Sequence, residues 1–152
     1  MTFIFNEIQK LTTYHFELLL EADPSQQIVE DYTTRGVVFE VLQAQQLVGI
    51  VVLLPTRPET IEIVNIAVHP NFQNQGIGQE IIKFSIQTAK DKQYHTLEIG
   101  TGSTSLAQLY LYQKMNFRIT GVDRDFFLRH YPEEIIENGL ILKDMIRLQQ
   151  DL

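Results

Sequence analysis

The sequence contains no cysteine. Disulfides, thiol nucleophiles and cysteine-based zinc sites are therefore excluded. Basic residues are few: 12 Lys and Arg stand against 19 Asp and Glu, for a formal net charge of -7. A protein whose main partner is nucleic acid needs a basic surface, so no nucleic acid is expected, while a cationic substrate is permitted. Long hydrophobic runs are also missing. The most apolar stretch, Val48 to Leu54, is far too short to cross a bilayer, and no membrane partner is expected. The N-terminal stretch Met1 to Glu7 has no basic region ahead of its apolar residues. It does not read as a signal peptide, and a cytoplasmic location is expected. The four histidines show no metal-ligand spacing, so no metal is expected; His69, beside Pro70, reads as a loop residue. No repeat or low-complexity segment is visible.

What is present is the composition of a globular protein, 152 residues long, 44% hydrophobic and 20% charged. A single domain over residues 1–152 is expected. The stretch Ile61 to Gly78 organises the rest. Its first part, Thr60 to Val68, is rich in Ile, Val and Ala, ends at Pro70, and reads as a central strand apolar on both faces. A polar turn follows. Gly76 and Gly78 then open an amphipathic helix running to about Lys92, with Ile77, Ile81, Ile82, Ile86 and Ala89 at helical spacing. Strand, glycine loop and helix in this order suit a phosphate. The first amides of a helix lack partners, the helix dipole is positive there, and glycine lets an anion approach the backbone. The loop is neither a Walker A loop nor the three-glycine dinucleotide fingerprint.

Around this centre the patterning predicts a first helix over residues 14 to 22. A second helix follows, with Asp23 as cap, Pro24 at the first position, Gln26 in the capping box and Gly36 at the stop. Strands are predicted over Val37–Leu42 and Leu47–Leu54, joined by a polar turn, and Pro55 to Pro58 closes the second. Thr96–Gly100 is a further strand, parallel to Thr60–Val68 because a helix connects them. Thr101 to Thr104 is a loop with helix-capping residues. A helix runs from about Ser105 to Met115, with Leu106, Leu109 and Tyr110 on one side and Asn116 ending it in the left-handed conformation. Strands over Phe117–Val122 and Leu140–Leu148 complete the chain. The expected fold class is α/β (an α+β mixed sheet): a mostly antiparallel central sheet with one parallel pair and helices on both faces.

Gln73-Asn74-Gln75-Gly76-Ile77-Gly78 matches Gln/Arg-x-x-Gly-x-Gly/Ala, and Leu111-Tyr112-Gln113-Lys114-Met115-Asn116-Phe117 is similar to Leu-Tyr-x-Lys-x-Gly-Phe. Both motifs, in this order and with these elements between them, resemble the GNAT N-acetyltransferase superfamily over nearly the whole chain. The resemblance implies that backbone amides at Gln75, Gly76, Ile77, Gly78 and Gln79, in the loop begun by Gln73, bind the pyrophosphate of acetyl-CoA. It implies that the backbone of Ile66, Ala67 and Val68 pairs with the pantetheine arm and polarises the thioester carbonyl. Tyr112 matches the tyrosine that protonates the departing thiolate. Glu62 matches the general base of the histone-type members, with Glu98 as its rival. Ser103, Thr104 and Ser105 occupy the loop where the family often has a CoA-binding asparagine, and their hydroxyls would have to replace it.

These carry-overs imply an acetyl-CoA-dependent N-acetyltransferase. A small-molecule or peptide amine attacks the thioester directly in a ternary complex, since no cysteine can carry the acetyl group. The alternatives are a regulatory module that binds acyl-CoA without catalysis and a structural dimerisation domain. The segment from Asp123 to Gly139, with Phe126, Phe127, His130 and Tyr131, is longer than a hairpin needs. It would shape the acceptor pocket or form a contact in a homodimer; Arg57 would also line the acceptor side.

Overall fold

Strand β4 (Thr60–Val68) lies in the middle of a seven-stranded sheet. The computed structural model describes residues 2–152; Met1, the first residue of the N-terminal stretch, lies outside them. Ahead of β4 come β1 (Ile4–Ile8), helices α1 (Thr13–Ala22) and α2 (Gln26–Arg35), and strands β2 (Val37–Gln43) and β3 (Gln46–Arg57). After it come α3 (Ile77–Asp91), β5 (Thr96–Gly102), α4 (Leu106–Lys114), β6 (Arg118–Asp123), the short helix α5 (Phe126–His130), the two-residue strands β7 (Ile136–Glu137) and β8 (Leu140–Ile141), and β9 (Met145–Asp151). The sheet order is β1-β2-β3-β4-β5-β9-β6. Only β4 and β5 are parallel, as the helical connection between them requires.

The sheet is covered on both faces. Ile77, Ile81, Ile82 and Ala89 of α3 join one core cluster, together with Tyr112, Met115 and Phe117 from the end of α4 and beyond. Leu18 and Leu19 of α1 and Val29 and Tyr32 of α2 join the other, against Val38, Ile50, Val52 and Ala67. Ile77, Ile81 and Ile82 are essentially fully buried, and each such side chain contributes about 1.5–3 kcal/mol of hydrophobic stabilisation.

Several elements differ from expectation. The N-terminal strand β1 was not anticipated; it pairs with β2 as the sheet edge. Helix α2 is capped by Ser25, whose Oγ accepts from the Ile28 amide at 3.2 Å. Asp23 instead ends α1 and turns its carboxylate to other donors. Gly36 does stop α2, but with extended backbone (φ -101°). What requires glycine there is space: a Cβ would sit 2.6 Å from the Leu53 carbonyl oxygen. Strand β3 continues through Pro55 to Arg57. Its partner β2 stops opposite Leu53, so at Pro55 the strand keeps only its β4 neighbour and the proline lies where one edge of β3 is unpaired. On α4 the expected apolar side is wrong. Leu106 and Tyr110 are 62% and 69% exposed, and Tyr112 is the buried residue of this helix. The single strand expected over Leu140–Leu148 is broken into β8 and β9. Asn138 and Gly139, both at positive φ, form a two-residue turn that folds β8 back on β7. Asn116 has φ 75°, the left-handed stop expected of it.

Candidate active site

The parallel pairing of β4 with β5 runs only from Thr60↔Thr96 to Ile63↔Ile99. At that point the β3–β4 register slips: Val52 faces Asn65 and Leu53 faces Ile63, so Val64 is an extra residue. A bulge of this kind bends a strand and increases its twist. Beyond it β4 keeps β3 on one side, from Asn65 to Val68, and has no ladder with β5 on the other. Strand β5 meanwhile continues along β9 to Gly102. The strands part, and two clefts open where they do so.

The loop cleft, about 470 Å³, is lined by Ile66, Ala67 and Val68 of β4, by Gln73, Asn74, Gly76, Ile77, Gly78 and Gln79, and by Leu111 of α4 among others. Gly76 caps α3 with φ +81°, a conformation that favours glycine. Gln73 Nε2 donates to the Val68 carbonyl at 3.2 Å, tying the loop to the end of the strand. A Cβ on Gly78 would meet nothing nearer than Leu111 Cδ2 at 3.7 Å. The fold therefore does not demand glycine at this position; the emptiness serves whatever approaches the helix start. Gln75 does not line the cleft with its neighbours.

The lobe cleft, about 410 Å³, lies between the α1–α2 corner, the parted strands and the 126–142 segment. Phe127, Tyr131, Ile135, Ile136 and Glu137 line it, so the long segment does shape a pocket. Tyr131 closes it by donating its hydroxyl to Asp23 Oδ1 at 2.8 Å, and Tyr32 donates to the other oxygen at 2.9 Å. Burial first, and then the Asp23 charge, push the Tyr131 phenol well above its ordinary pKa. For Tyr32 burial is again the main upward cause, opposed by a hydrogen bond from Asn65. His130 does not line the cleft; its ring packs on Phe126 at 4.6 Å.

Glu21, Ala22, Ile66, Gln108 and Tyr112 line both clefts. Tyr112 thus stands where they meet. The residue is only 5% exposed, and burial pushes its phenol well above the ordinary value. Its hydroxyl has no hydrogen bond to any described residue, yet it is not among the sealed, unpartnered polar atoms. It therefore reaches the cleft space with its proton free to donate.

The carboxylates expected to act as base lie elsewhere. Glu62 Oε1 is 3.1 Å from Arg147 Nη2 and Oε2 is 3.3 Å from Nη1, so both oxygens take the guanidinium. Glu98 is 7% exposed and accepts from Thr56 and Arg57. Neither lines a cleft, and Arg57 is paired with Glu98 instead of facing the lobe cleft. The Glu62–Arg147 pair does lie against the cleft wall, since Arg147 Nη1 is 3.3 Å from the sulfur of Met145, a lining residue. The serines also depart from expectation. Ser105 precedes α4 but does not cap it; its hydroxyl donates to Glu137 at 2.6 Å, as Thr104 does at 3.1 Å. Ser105 faces the lobe cleft, and Ser103 lines neither. His69 is a loop residue whose Nδ1 accepts from the Asn71 amide. Among the described residues, no group of three or more His, Asp or Glu is placed to hold a metal ion.

Sequence reading missed Glu21, Asp23, Asn65, Gln108 and Glu137 as lining residues. Only Asn65 had a signal, as the lone amide in an otherwise apolar strand.

Comparison with known proteins gives this arrangement a family. Residues 3–117 match the model of the Acetyltransferase (GNAT) family. The uncharacterized N-acetyltransferase YvbK of Bacillus subtilis is 50% identical over 137 residues, covering 90% of this chain and 88% of its own. A Bacillus subtilis acetyltransferase crystallised in complex with CoA superposes with a TM-score of 0.96 at 46% identity, over 99% of each chain. A GNAT family acetyltransferase from Elizabethkingia anophelis with acetyl-CoA bound gives 0.95 at 45% identity, over 99% of this chain and 98% of that one. The chain belongs to the GNAT family and is an acetyl-CoA-dependent N-acetyltransferase.

Proposed function

We propose that this enzyme moves the acetyl group of acetyl-CoA directly to a primary amine, with both substrates bound at once. The observation that carries the reading is the meeting of two clefts at Tyr112, beside a length of β4 that has no partner on one side. The loop cleft suits the CoA half. Its helix start offers unpaired amides and a positive dipole end, and Gly78 leaves room for a phosphate to approach. The free side of Ile66, Ala67 and Val68 suits the amide groups of a pantetheine arm and offers backbone N–H groups to a thioester oxygen. The lobe cleft then receives the amine.

In this reading the amine nitrogen forms the amide bond as the carbon–sulfur bond breaks. Tyr112 gives its proton to the sulfur; its raised pKa keeps that proton on the phenol at neutral and mildly alkaline pH. The amine loses its own proton to water in the cleft. We assign Glu62 to that water only at one remove: it lines neither cleft and both its oxygens take the Arg147 guanidinium, so a chain of water has to connect it. There is no cysteine to hold the acetyl group in between.

Thermal unfolding with acetyl-CoA, CoA and NAD in parallel, followed by thiol release with an amine panel, tests the reading. Ligand at about a hundred times its Kd stabilises by about 2.7 kcal/mol. In a domain of this size that raises Tm by roughly 5–10 °C. A shift with both CoA species and not with NAD is expected, with thiol release that depends on the amine. Failure of either CoA species to raise Tm at saturation would refute it.

A further inference from the structure

We infer that strand β6, at the outer edge of the sheet, is where a second copy of this chain joins: two β6 strands pair antiparallel about a two-fold axis, giving a homodimer with one continuous sheet.

Strand β6 pairs with β9 on one side and with no described strand on the other. An unpaired edge is a row of free backbone donors and acceptors, and a proline or a central charge ordinarily guards it. From Ile119 to Val122 there is neither. Ile119 and Val122 are instead 52% and 58% exposed. Gly121 adds to this. Its φ is not positive, and a Cβ on it would meet nothing within 4 Å. Neither conformation nor crowding within the chain asks for glycine, which weakens a strand; close approach of another backbone does.

The strand reads Arg118-Ile119-Thr120-Gly121-Val122-Asp123 and is complementary to itself when reversed. Placing Arg118 opposite the partner's Asp123 puts Ile119 opposite the partner's Val122 and Thr120 opposite the partner's Gly121. The two-fold makes each of these pairs twice. Arg118 has no hydrogen bond or ion pair with any described residue. Asp123 gives Oδ1 to Arg129, which leaves Oδ2 for the partner. A shift of one residue sets Arg118 against the partner's Arg124 in one direction and against the partner's Val122 in the other, so the charges select a single register.

The bulge in β6 makes that register possible. Residues directly opposite across an antiparallel pair share a face of the sheet. In a regular strand, residues three apart point to opposite faces, and Ile119 could not meet the partner's Val122 about an axis perpendicular to the sheet. Here the register slips between Ile119 and Gly121, leaving Thr120 as the extra residue. Ile119 therefore faces Leu148 and Val122 faces Ile146, two residues apart on β9 and so on one face. Arg118 and Asp123, opposite Gln149 and Met145, share the other face. Both kinds of pair then match at once. Helix α4 covers the face of Ile119 and Val122, since its Tyr112 packs in the same cluster as Leu148 and Ile146. Its exposed Leu106 and Tyr110 bring further apolar area to the side where the partner's α4 would lie. The opposite edge offers no such match: β1 carries Glu7 and no cation.

Sedimentation of the full chain at concentrations up to about 100 μM tests the pairing, and a two-chain species is expected. Val122→Lys sets a charge against the partner's Ile119 and should give single chains that keep the parent's circular dichroism. The charged pair tests the register. Arg118→Glu or Asp123→Arg alone sets like charges against each other twice per dimer and should raise the dissociation constant about tenfold or more. Both substitutions in one chain restore the two pairs and should bring the constant back to within about threefold of the parent. The charge exchange decides if Val122→Lys fails to fold. A parent that sediments as single chains throughout this range overturns the proposal. So does a dimer that a folded Val122→Lys leaves intact, and so does a double variant as weak as the single ones.

Discussion

Replacing Tyr112 by Phe removes one oxygen from the point where the clefts meet. The ring stays where it is, 6.2 Å from Phe117 in the core beneath α4. The hydroxyl has no hydrogen bond to a described residue, so its loss leaves no orphaned partner. Stability should therefore change by no more than about 1 kcal/mol in either direction. Binding of acetyl-CoA should be unaffected, because the loop and strand backbone that would hold it are untouched. The rate should not survive as well. A positioned general acid contributes about 10²–10⁴-fold, or roughly 2.7–5.4 kcal/mol of barrier. The assay is kcat for thiol release at pH 7 to 9 with acetyl-CoA saturating, together with the Tm shift. Tyr110→Phe is the control: that side chain is 69% exposed and lines neither cleft. A Tyr112→Phe enzyme whose kcat stays within about fivefold of the parent would refute the assignment of the proton donor.

Three further outcomes are expected. Gly78→Ala should fold with stability within about 1 kcal/mol of the parent, since a Cβ there meets only ordinary contacts, yet reduce the acetyl-CoA Tm shift. Gly36→Ala should do the reverse: the Cβ would collide with the Leu53 carbonyl, lowering stability by about 1–3 kcal/mol in urea unfolding while ligand binding persists. Tyr32, Tyr112 and Tyr131 all hold their protons above the ordinary tyrosine range, chiefly through burial. Above about pH 10 the unfolded chain binds fewer protons than the folded one, so stability should fall as pH rises, by up to about 1.4 kcal/mol per unit per tyrosine. Urea midpoints at pH 8, 10 and 11 check this, and a flat profile would count against it.

The sheet, its single parallel pair and the glycine loop were legible because each rests on local pattern. Apolar runs closed by proline, a helical period behind Gly76 and Gly78, and a helix between two strands together permit few topologies. The Asn138-Gly139 turn is equally local and marks the β7–β8 hairpin, whereas the break between β8 and β9 at residues 142–144 carries no such signal. The lobe cleft was legible only in outline. Glu21, Asp23, Asn65 and Glu137 come from α1, the corner after it, β4 and β7, and nothing in one stretch of sequence announces that they converge. Glu62 shows the opposite problem. Its place on the strand suits a base, but Arg147 lies 85 residues away, and the pairing that withdraws the carboxylate from the cleft depends on β9 entering the sheet beside β5. Ser105 likewise reads as a hydroxyl free for the cofactor until Glu137, 32 residues away, arrives to take it.

Four residue pairs and the Glu59 carbonyl, which accepts from the His95 and Thr96 amides, join β4 to β5 along their backbones. The zipper stops partway, and an extended guest lying along the open teeth would continue it. Those amides between Val64 and Val68 that face the gap, and not the ones bonded to β3, would then exchange with deuterium slowly when the guest is present and quickly when it leaves. The same guest would couple the first half of the chain to the second. Occupancy would thus be felt as mechanical continuity across the molecule, well beyond the residues it touches.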